Sequence, residues 1–117
     1  MIKYRKSFIV GLKGIFLAKK EIFFLKKYKP WGVILFSRNI KSIEQVQKLI
    51  FKIKSIFNDK NYPILIDQEG GRVSRVEKII ITTPFSGEYF GFAFKKKKKN
   101  ISQHINIYIN QISYLLR

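Results

Sequence analysis

Three short apolar runs limit how this chain can fold. Residues 7–11 read Ser-Phe-Ile-Val-Gly, residues 32–36 read Gly-Val-Ile-Leu-Phe, and residues 62–67 read Tyr-Pro-Ile-Leu-Ile-Asp. The second is β-branched and apolar on both sides, as a parallel strand covered on both faces should be. Helical patterns lie between them. Residues 18–28 carry Ile22, Phe23, Phe24 and Leu25 among lysines, and Lys29-Pro30 stops the helix because proline disfavours helical backbone in the residue before it. Ser42 and Gln45 form a capping box, and Ile43, Val46, Leu49, Ile50, Ile53 and Phe57 follow with helical spacing. Strand, helix, strand, helix, strand is the rhythm of a parallel α/β sheet with right-handed crossovers.

The signal weakens beyond Arg75. Residues 77–83 read as extended. Residues 84–100 read as a Gly- and aromatic-rich loop that ends in a run of five lysines at 95–99. Ile101, Ile105, Ile109, Ile112 and Leu116 then mark the apolar stripe of a last helix.

The chain has 117 residues and a formal net charge of +17. That charge invites a polyanion partner, nucleic acid or an anionic membrane. The accompanying excess of Lys, Ile, Phe, Asn and Tyr also follows from A/T-rich codons, and the lysines are spread over predicted helix faces. The lysine run reads as a solvated linker. With no cysteine, disulfides, thiolate catalysis and thiolate metal sites are all removed. The basic start at residues 1–6 is followed by an apolar run broken at Lys13 and Lys19, unlike a signal peptide. No stretch approaches the ~20 apolar residues of a membrane span. A cytoplasmic protein is expected.

The chemistry gathers in Asp67-Gln68-Glu69-Gly70-Gly71-Arg72-Val73-Ser74-Arg75. This string directly follows the third strand, where functional side chains of parallel α/β folds collect. Asp67 suits accepting hydrogen bonds from adjacent sugar hydroxyls, and Arg75 suits donating to a hydroxyl, carboxylate or acetamido oxygen. Gly70 and Gly71 permit a tight turn or a close backbone approach. The plainer reading makes Asp67 a cap and leaves the arginines solvated or paired with Glu69.

Ile66 to Val73, with Arg75, resembles the N-terminal signature of glycoside hydrolase family 3, the closest type being the bacterial β-N-acetylglucosaminidases of cell-wall recycling. Residues 30–40, Pro-Trp-Gly-Val-Ile-Leu-Phe-Ser-Arg-Asn-Ile, resemble a second block of that family. Trp31 stands where glycine is frequent, and Ala18 where a capping Thr or Ser is usual. The resemblance covers roughly residues 8–76.

It implies an incomplete (β/α)8 TIM-type barrel, with residues 1–117 forming its first three strands and their helices. It implies retaining hydrolysis of terminal β-N-acetylglucosaminides, a carbohydrate partner and no cofactor or metal. Asp67 and Arg75 match substrate-binding positions, with Glu69, Gly70, Gly71 and Arg72 in support. The family's catalytic Asp and the His of its Lys-His-Phe-Pro-Gly-His type motif have no counterpart here. His104, the one histidine, lies in Ser-Gln-His-Ile-Asn on the polar side of the last helix. The chain alone is therefore expected to bind rather than to hydrolyse. The remainder of the barrel is its natural partner, and without it a bare sheet face and an open edge are expected. A small basic module for nucleic acid is the alternative, but it leaves the string from Asp67 to Arg75 unexplained.

Overall fold

The computed structural model describes residues 4–96 and 99–117. Three parallel strands, β1 (Lys6–Gly11), β2 (Pro30–Leu35) and β3 (Ile64–Ile66), form a sheet in the order β1-β2-β3. Helix α1 (Lys19–Tyr28) links the first pair and α2 (Ile43–Phe57) the second. The α/β reading holds. Both crossover helices lie on one face, where Leu25 of α1 and Leu49, Ile53 and Phe57 of α2 bury against Val33 and Leu35 of β2. A sheet that winds one way in sequential strand order has no switch point, unlike a doubly wound sheet, whose strand order reverses.

The other sheet face is only partly covered. Val10 pairs in register with Val33 and faces the helices, so Ile9, Gly11, Gly32 and Ile34 face away. Gly32 is needed there: a Cβ would stand 2.9 Å from Leu65 Cδ1 and 3.1 Å from the Pro63 carbonyl. Ile34 and Leu65 are half-buried and Ile9 is 44% exposed, so β2 is not covered on both faces as its sequence suggests.

β3 is shorter than its apolar run. Pro63 has no N–H to donate, although its carbonyl still accepts from Val33 N at 3.1 Å. Tyr62 leaves the strand and stacks on Phe57, with ring centroids 3.9 Å apart, while its hydroxyl donates to the Pro30 carbonyl at 2.9 Å. Arg5 lies over the same ring and pairs with Asp59. Burial pushes the Tyr62 hydroxyl up to about 12, against a smaller opposing pull from Arg5.

The helix starts obey the sequence with two adjustments. Ala18 offers no side-chain cap, so Glu21 takes over from inside α1, accepting from Ala18 N and Lys13 N at 2.8 Å each. Ser42 does accept from Gln45 N at 3.2 Å. Gln45, however, reaches back to Lys41 N rather than to Ser42, and its amide donates to the Ile15 and Asn39 carbonyls.

The region after Arg75 differs from its sequence reading. Residues 77–83 form turns, and the segment read as a loop at 84–100 contains helix α3 (Gly87–Lys95). Glycines 87 and 91 argue against a helix by propensity. The Ser86 hydroxyl overrides them by accepting from Tyr89 N at 3.1 Å, as does burial of Ala93. Helix α4 (Ile101–Leu115) packs beside α3, as its stripe predicts, but Ile109 is left 52% exposed. Of the lysine run, Lys95 ends α3, Lys96 caps it, and residues 97–98 lie outside the described residues. The basic start at residues 1–3 lies outside them too.

The flank of β3 is not simply open. Leu115 and Leu116 at the end of α4 face Ile64, Ile66 and Ile50 across a groove of about 670 Å³. The molecule measures 54 × 27 × 20 Å, with a radius of gyration of 17.3 Å. A compact chain of this length would have about 13 Å. No helix of the described residues is long and apolar enough to cross a membrane.

Candidate functional site: the carboxyl ends of β2 and β3

Asp67 follows the last residue of β3, and its backbone leads into a tight hairpin. Gly70 N donates to the Val73 carbonyl at 2.9 Å and Val73 N returns to the Gly70 carbonyl at 3.2 Å. Gly70 and Gly71 adopt φ of 97° and 57°, values that side-chain-bearing residues rarely take. Space demands glycine as well. A Cβ on Gly71 would lie 2.9 Å from Ser86 Cβ, and one on Gly70 would lie 3.1 Å from the Tyr108 hydroxyl. Helices α3 and α4 therefore press on the back of this loop.

The hairpin folds Arg75 back onto Asp67. Arg75 Nε donates to the Asp67 carbonyl at 3.2 Å, and its terminal amino group lies 3.4 Å from Asp67 Oδ2. Gln68 holds the return limb: its Oε1 accepts from Arg75 N at 2.9 Å and its Nε2 donates to Ser74 Oγ at 3.1 Å. Asp67 and Arg75, eight residues apart, are thus adjacent. The Asp67 side chain is 55% exposed, so its carboxylate remains available to solvent or ligand.

The supporting residues divide. Gly70 and Gly71 build the turn. Glu69 and Arg72 are exposed and form no ion pair or side-chain hydrogen bond among the described residues, so the arginines do not pair with Glu69. His104 is exposed on α4, remote in sequence from this loop. The described residues hold no group of three or more His, Cys, Asp or Glu side chains suited to a metal.

The second sequence block supplies a neighbour. Beyond β2, a 3-10 turn (Ser37–Asn39) is locked by Asn39, which is fully buried. Asn39 Oδ1 accepts from Phe36 N at 2.9 Å, and its amide donates to the carbonyls of Leu12 at 3.1 Å and Gly14 at 2.8 Å. Asn39 stands in the sequence only as part of the loop after the second strand. An amide-bearing residue directly after a buried strand was the available signal, because such a side chain can satisfy loop carbonyls that water does not reach. Ser37 Oγ donates to the Ser74 carbonyl at 3.4 Å and so ties this turn to the hairpin. The guanidinium of Arg75 lies 5.6 Å from the Phe36 ring centroid.

Over part of its length the chain is similar to known proteins. A β-hexosaminidase of Haemophilus influenzae (strain ATCC 51907) is 41% identical over 69 residues, covering 59% of this chain and 19% of that protein. One from Alkalilimnicola ehrlichii is 40% identical over 81 residues, covering 68% and 22%. Among solved structures, NagZ from Neisseria gonorrhoeae in complex with N-trifluoroacetyl-D-glucosamine superposes with a TM-score of 0.56 at 32% identity, over 65% of this chain and 22% of that one.

This chain is related to the bacterial β-hexosaminidases.

It spans about a fifth of the length of the β-hexosaminidases it matches. The native gonococcal NagZ structure gives the same picture, with a TM-score of 0.55 at 33% identity. No family model matches the chain.

Proposed function

We propose that the chain forms the opening strands of a glycoside hydrolase family 3 barrel and supplies one wall of a pocket for a terminal N-acetylglucosamine. The observation that carries this reading is the Asp67–Arg75 pair at the carboxyl end of β3, in a sheet wound one way. That is the end where barrel enzymes carry their sites. The likeness to β-hexosaminidases and to a NagZ bound to an N-acylglucosamine analogue supports the sugar class.

The binding chemistry follows from the pair. A carboxylate accepts from two neighbouring hydroxyls at once, and charged acceptors make the stronger bonds. Arg75 donates to a hydroxyl or an acetamido oxygen. The two side chains touch only loosely, at 3.4 Å, so a hydroxyl that bridges them displaces little.

Retaining hydrolysis needs a nucleophile and an acid/base group about 5–5.5 Å apart across the scissile bond. Asp67 and Glu69 leave the same strand end and do not flank a substrate. In this reading the residues here bind and orient the sugar, and strands outside these 117 residues bring the bond-breaking groups. The parent enzyme would act without a cofactor, in the cytoplasm, on muropeptide-type glycosides.

Nuclear magnetic resonance titration of the chain with N-acetylglucosamine tests the pocket. Shifts are expected at Gly70, Gly71 and Arg75 and are lost in Asp67→Ala. Unchanged binding in both Asp67→Ala and Arg75→Ala would overturn the assignment. Pure chain is expected to release no chromophore from 4-nitrophenyl N-acetyl-β-glucosaminide, and steady turnover would overturn the division between binding and chemistry.

A further inference from the structure

Helices α1 and α2 each hold a phenylalanine out in water. Leu25 of α1 and Leu49, Ile53 and Phe57 of α2 point into the core, so the opposite sides of both helices face outward. Phe23 lies two residues before Leu25 and is 65% exposed, and Phe51 lies two residues before Ile53 and is 75% exposed. Two residues turn an α-helix through a little over half a circle, which puts each ring on its helix's outward side.

Both rings are surrounded by lysine. Lys19 and Lys20 stand one turn before Phe23, and Lys26 and Lys27 one turn after it, all exposed. Lys27 Nζ lies 5.6 Å from the Phe23 ring centroid. Beside Phe51 stand the exposed Lys48 and Lys52 and the half-buried Lys54. None of these ammonium groups forms an ion pair among the described residues. The acids offset them little: Glu21 is turned back onto the Lys13 and Ala18 amides, and Glu44 is the one acid of α2. The two helices pack side by side on one face of the sheet. Lysines that the sequence spreads along two helices are thus gathered by the fold into a single outward surface.

Charge and shape select the partner. A second copy, with the same formal net charge of +17, is repelled. Nucleic acid is drawn to lysine, but it is gripped best by arginine forks and by aromatic rings lining a groove. Here every cation of α1 and α2 is a lysine, and the rings sit on outward helix faces. An anionic bilayer suits both kinds of group. A phenylalanine ring enters the boundary between headgroups and acyl chains, while the long lysine stems lift the ammonium groups back to the phosphates. Acidic lipids add an attraction for each lysine that reaches them.

We propose that the outward face of α1 and α2 docks on an anionic lipid bilayer, with Phe23 and Phe51 as anchors and the surrounding lysines as headgroup contacts. This does not rest on the sugar-pocket reading. The helices of a barrel form its outer ring, so the face points outward in a closed barrel as it does here.

Co-sedimentation of the full chain with vesicles tests the proposal, using phosphatidylcholine alone and phosphatidylcholine mixed with an equal part of phosphatidylglycerol. The chain is expected to sediment with the mixed vesicles and not with the neutral ones. It should be released as the salt approaches 1 M, where the screening length shrinks to about 3 Å. Phe23→Ser combined with Phe51→Ser keeps every charge and should weaken binding about tenfold, through the apolar area no longer buried. Lys19→Gln, Lys20→Gln, Lys26→Gln and Lys27→Gln together should weaken it by at least about tenfold. The same replacement at Lys78, Lys95, Lys96 and Lys99, outside the two helices, should cost far less, although it removes as much charge.

Failure to sediment with the mixed vesicles would overturn the proposal. So would undiminished binding by the phenylalanine variant, or equal losses from the two sets of lysines, since either leaves only unplaced charge attraction. Oligothymidylate that binds more tightly than the vesicles, and less tightly to the phenylalanine variant, would make this face a nucleic-acid platform and overturn the lipid assignment. Circular dichroism of each variant establishes that it is folded before its binding is read.

Discussion

The buried amide of Asn39 donates to the Leu12 carbonyl at 3.1 Å and thereby ties the loop after β1 to the turn after β2. The same side chain reaches the Gly14 carbonyl and the Phe36 amide, so one residue satisfies three backbone groups. Asn39→Ala leaves those groups buried with fewer partners. The expected loss is about 2–4 kcal/mol of stability, since each unmet buried polar group costs roughly 1–3 kcal/mol. Asn39→Asp is expected to do no better, because a carboxylate cannot donate to the two carbonyls. Urea unfolding read by circular dichroism measures both.

The Tyr62 hydroxyl ionises near pH 12, while an unfolded tyrosine does so near 10. Its folded pKa is raised, so its contribution is fully present below pH 10 and is lost as the pH climbs to about 12. Unfolding at fixed urea should become easier across that window, and Tyr62→Phe should flatten the dependence. A spectrophotometric titration should show one of the six tyrosines ionising late. A flat stability profile from pH 10 to 12 would contradict the burial of this ring.

The carboxylate of Glu77 ends the hairpin region by accepting from Thr83 Oγ1 at 2.8 Å and from Thr82 N and Oγ1 at 3.2 and 3.0 Å. The Thr83 hydroxyl first, then the Thr82 backbone, hold its pKa below the ordinary carboxylate value. A depressed folded pKa means that this contribution is present above pH 4.5 and fades as the pH falls. Amide exchange at Thr82 should therefore accelerate below pH 4.5 beyond its intrinsic rate, and Glu77→Gln should remove that extra dependence.

Gly71→Ala should damage the candidate site more than the fold. The new methyl would meet Ser86 Cβ at 2.9 Å, and the backbone would have to keep φ near 57°. Strain of this kind costs about 1–3 kcal/mol. Because Gly71 lies outside the main core, protection of the Gly70 and Val73 amides should drop while that of β2 stays unchanged. Equal loss in both places would mean that the hairpin and sheet unfold as one unit.

Exposed apolar groups should dominate the behaviour of the isolated chain. Ile9, Phe23, Phe51 and Phe94 stand open to solvent, and β1 pairs on one edge only. Broad thermal unfolding and binding of a hydrophobic dye in native buffer are expected. A sharp two-state melt of a monomer that ignores the dye would argue against this.

The amino-acid sequence by itself determined the order of β1, α1, β2, α2 and β3, because local periodicity and stop signals act over a few residues. It also marked the string from Asp67 to Arg75 as a candidate site, since a carboxylate, two glycines and two arginines directly follow an apolar strand, where functional side chains of parallel α/β folds collect. Tertiary structure alone decided what those residues touch. The pairing of Arg75 with Asp67 depends on a hairpin whose glycines are held by Ser86 and Tyr108, from helices that begin some fifteen and thirty residues later. The bonds of Asn39 and Arg38 to the Leu12 carbonyl span 27 and 26 residues of the chain. Helix α3 was hidden for the same reason: its glycines speak against a helix locally, and packing beside α4 outweighs them. Short-range preferences are written in neighbouring residues, whereas contacts between distant segments exist only once the chain has closed on itself.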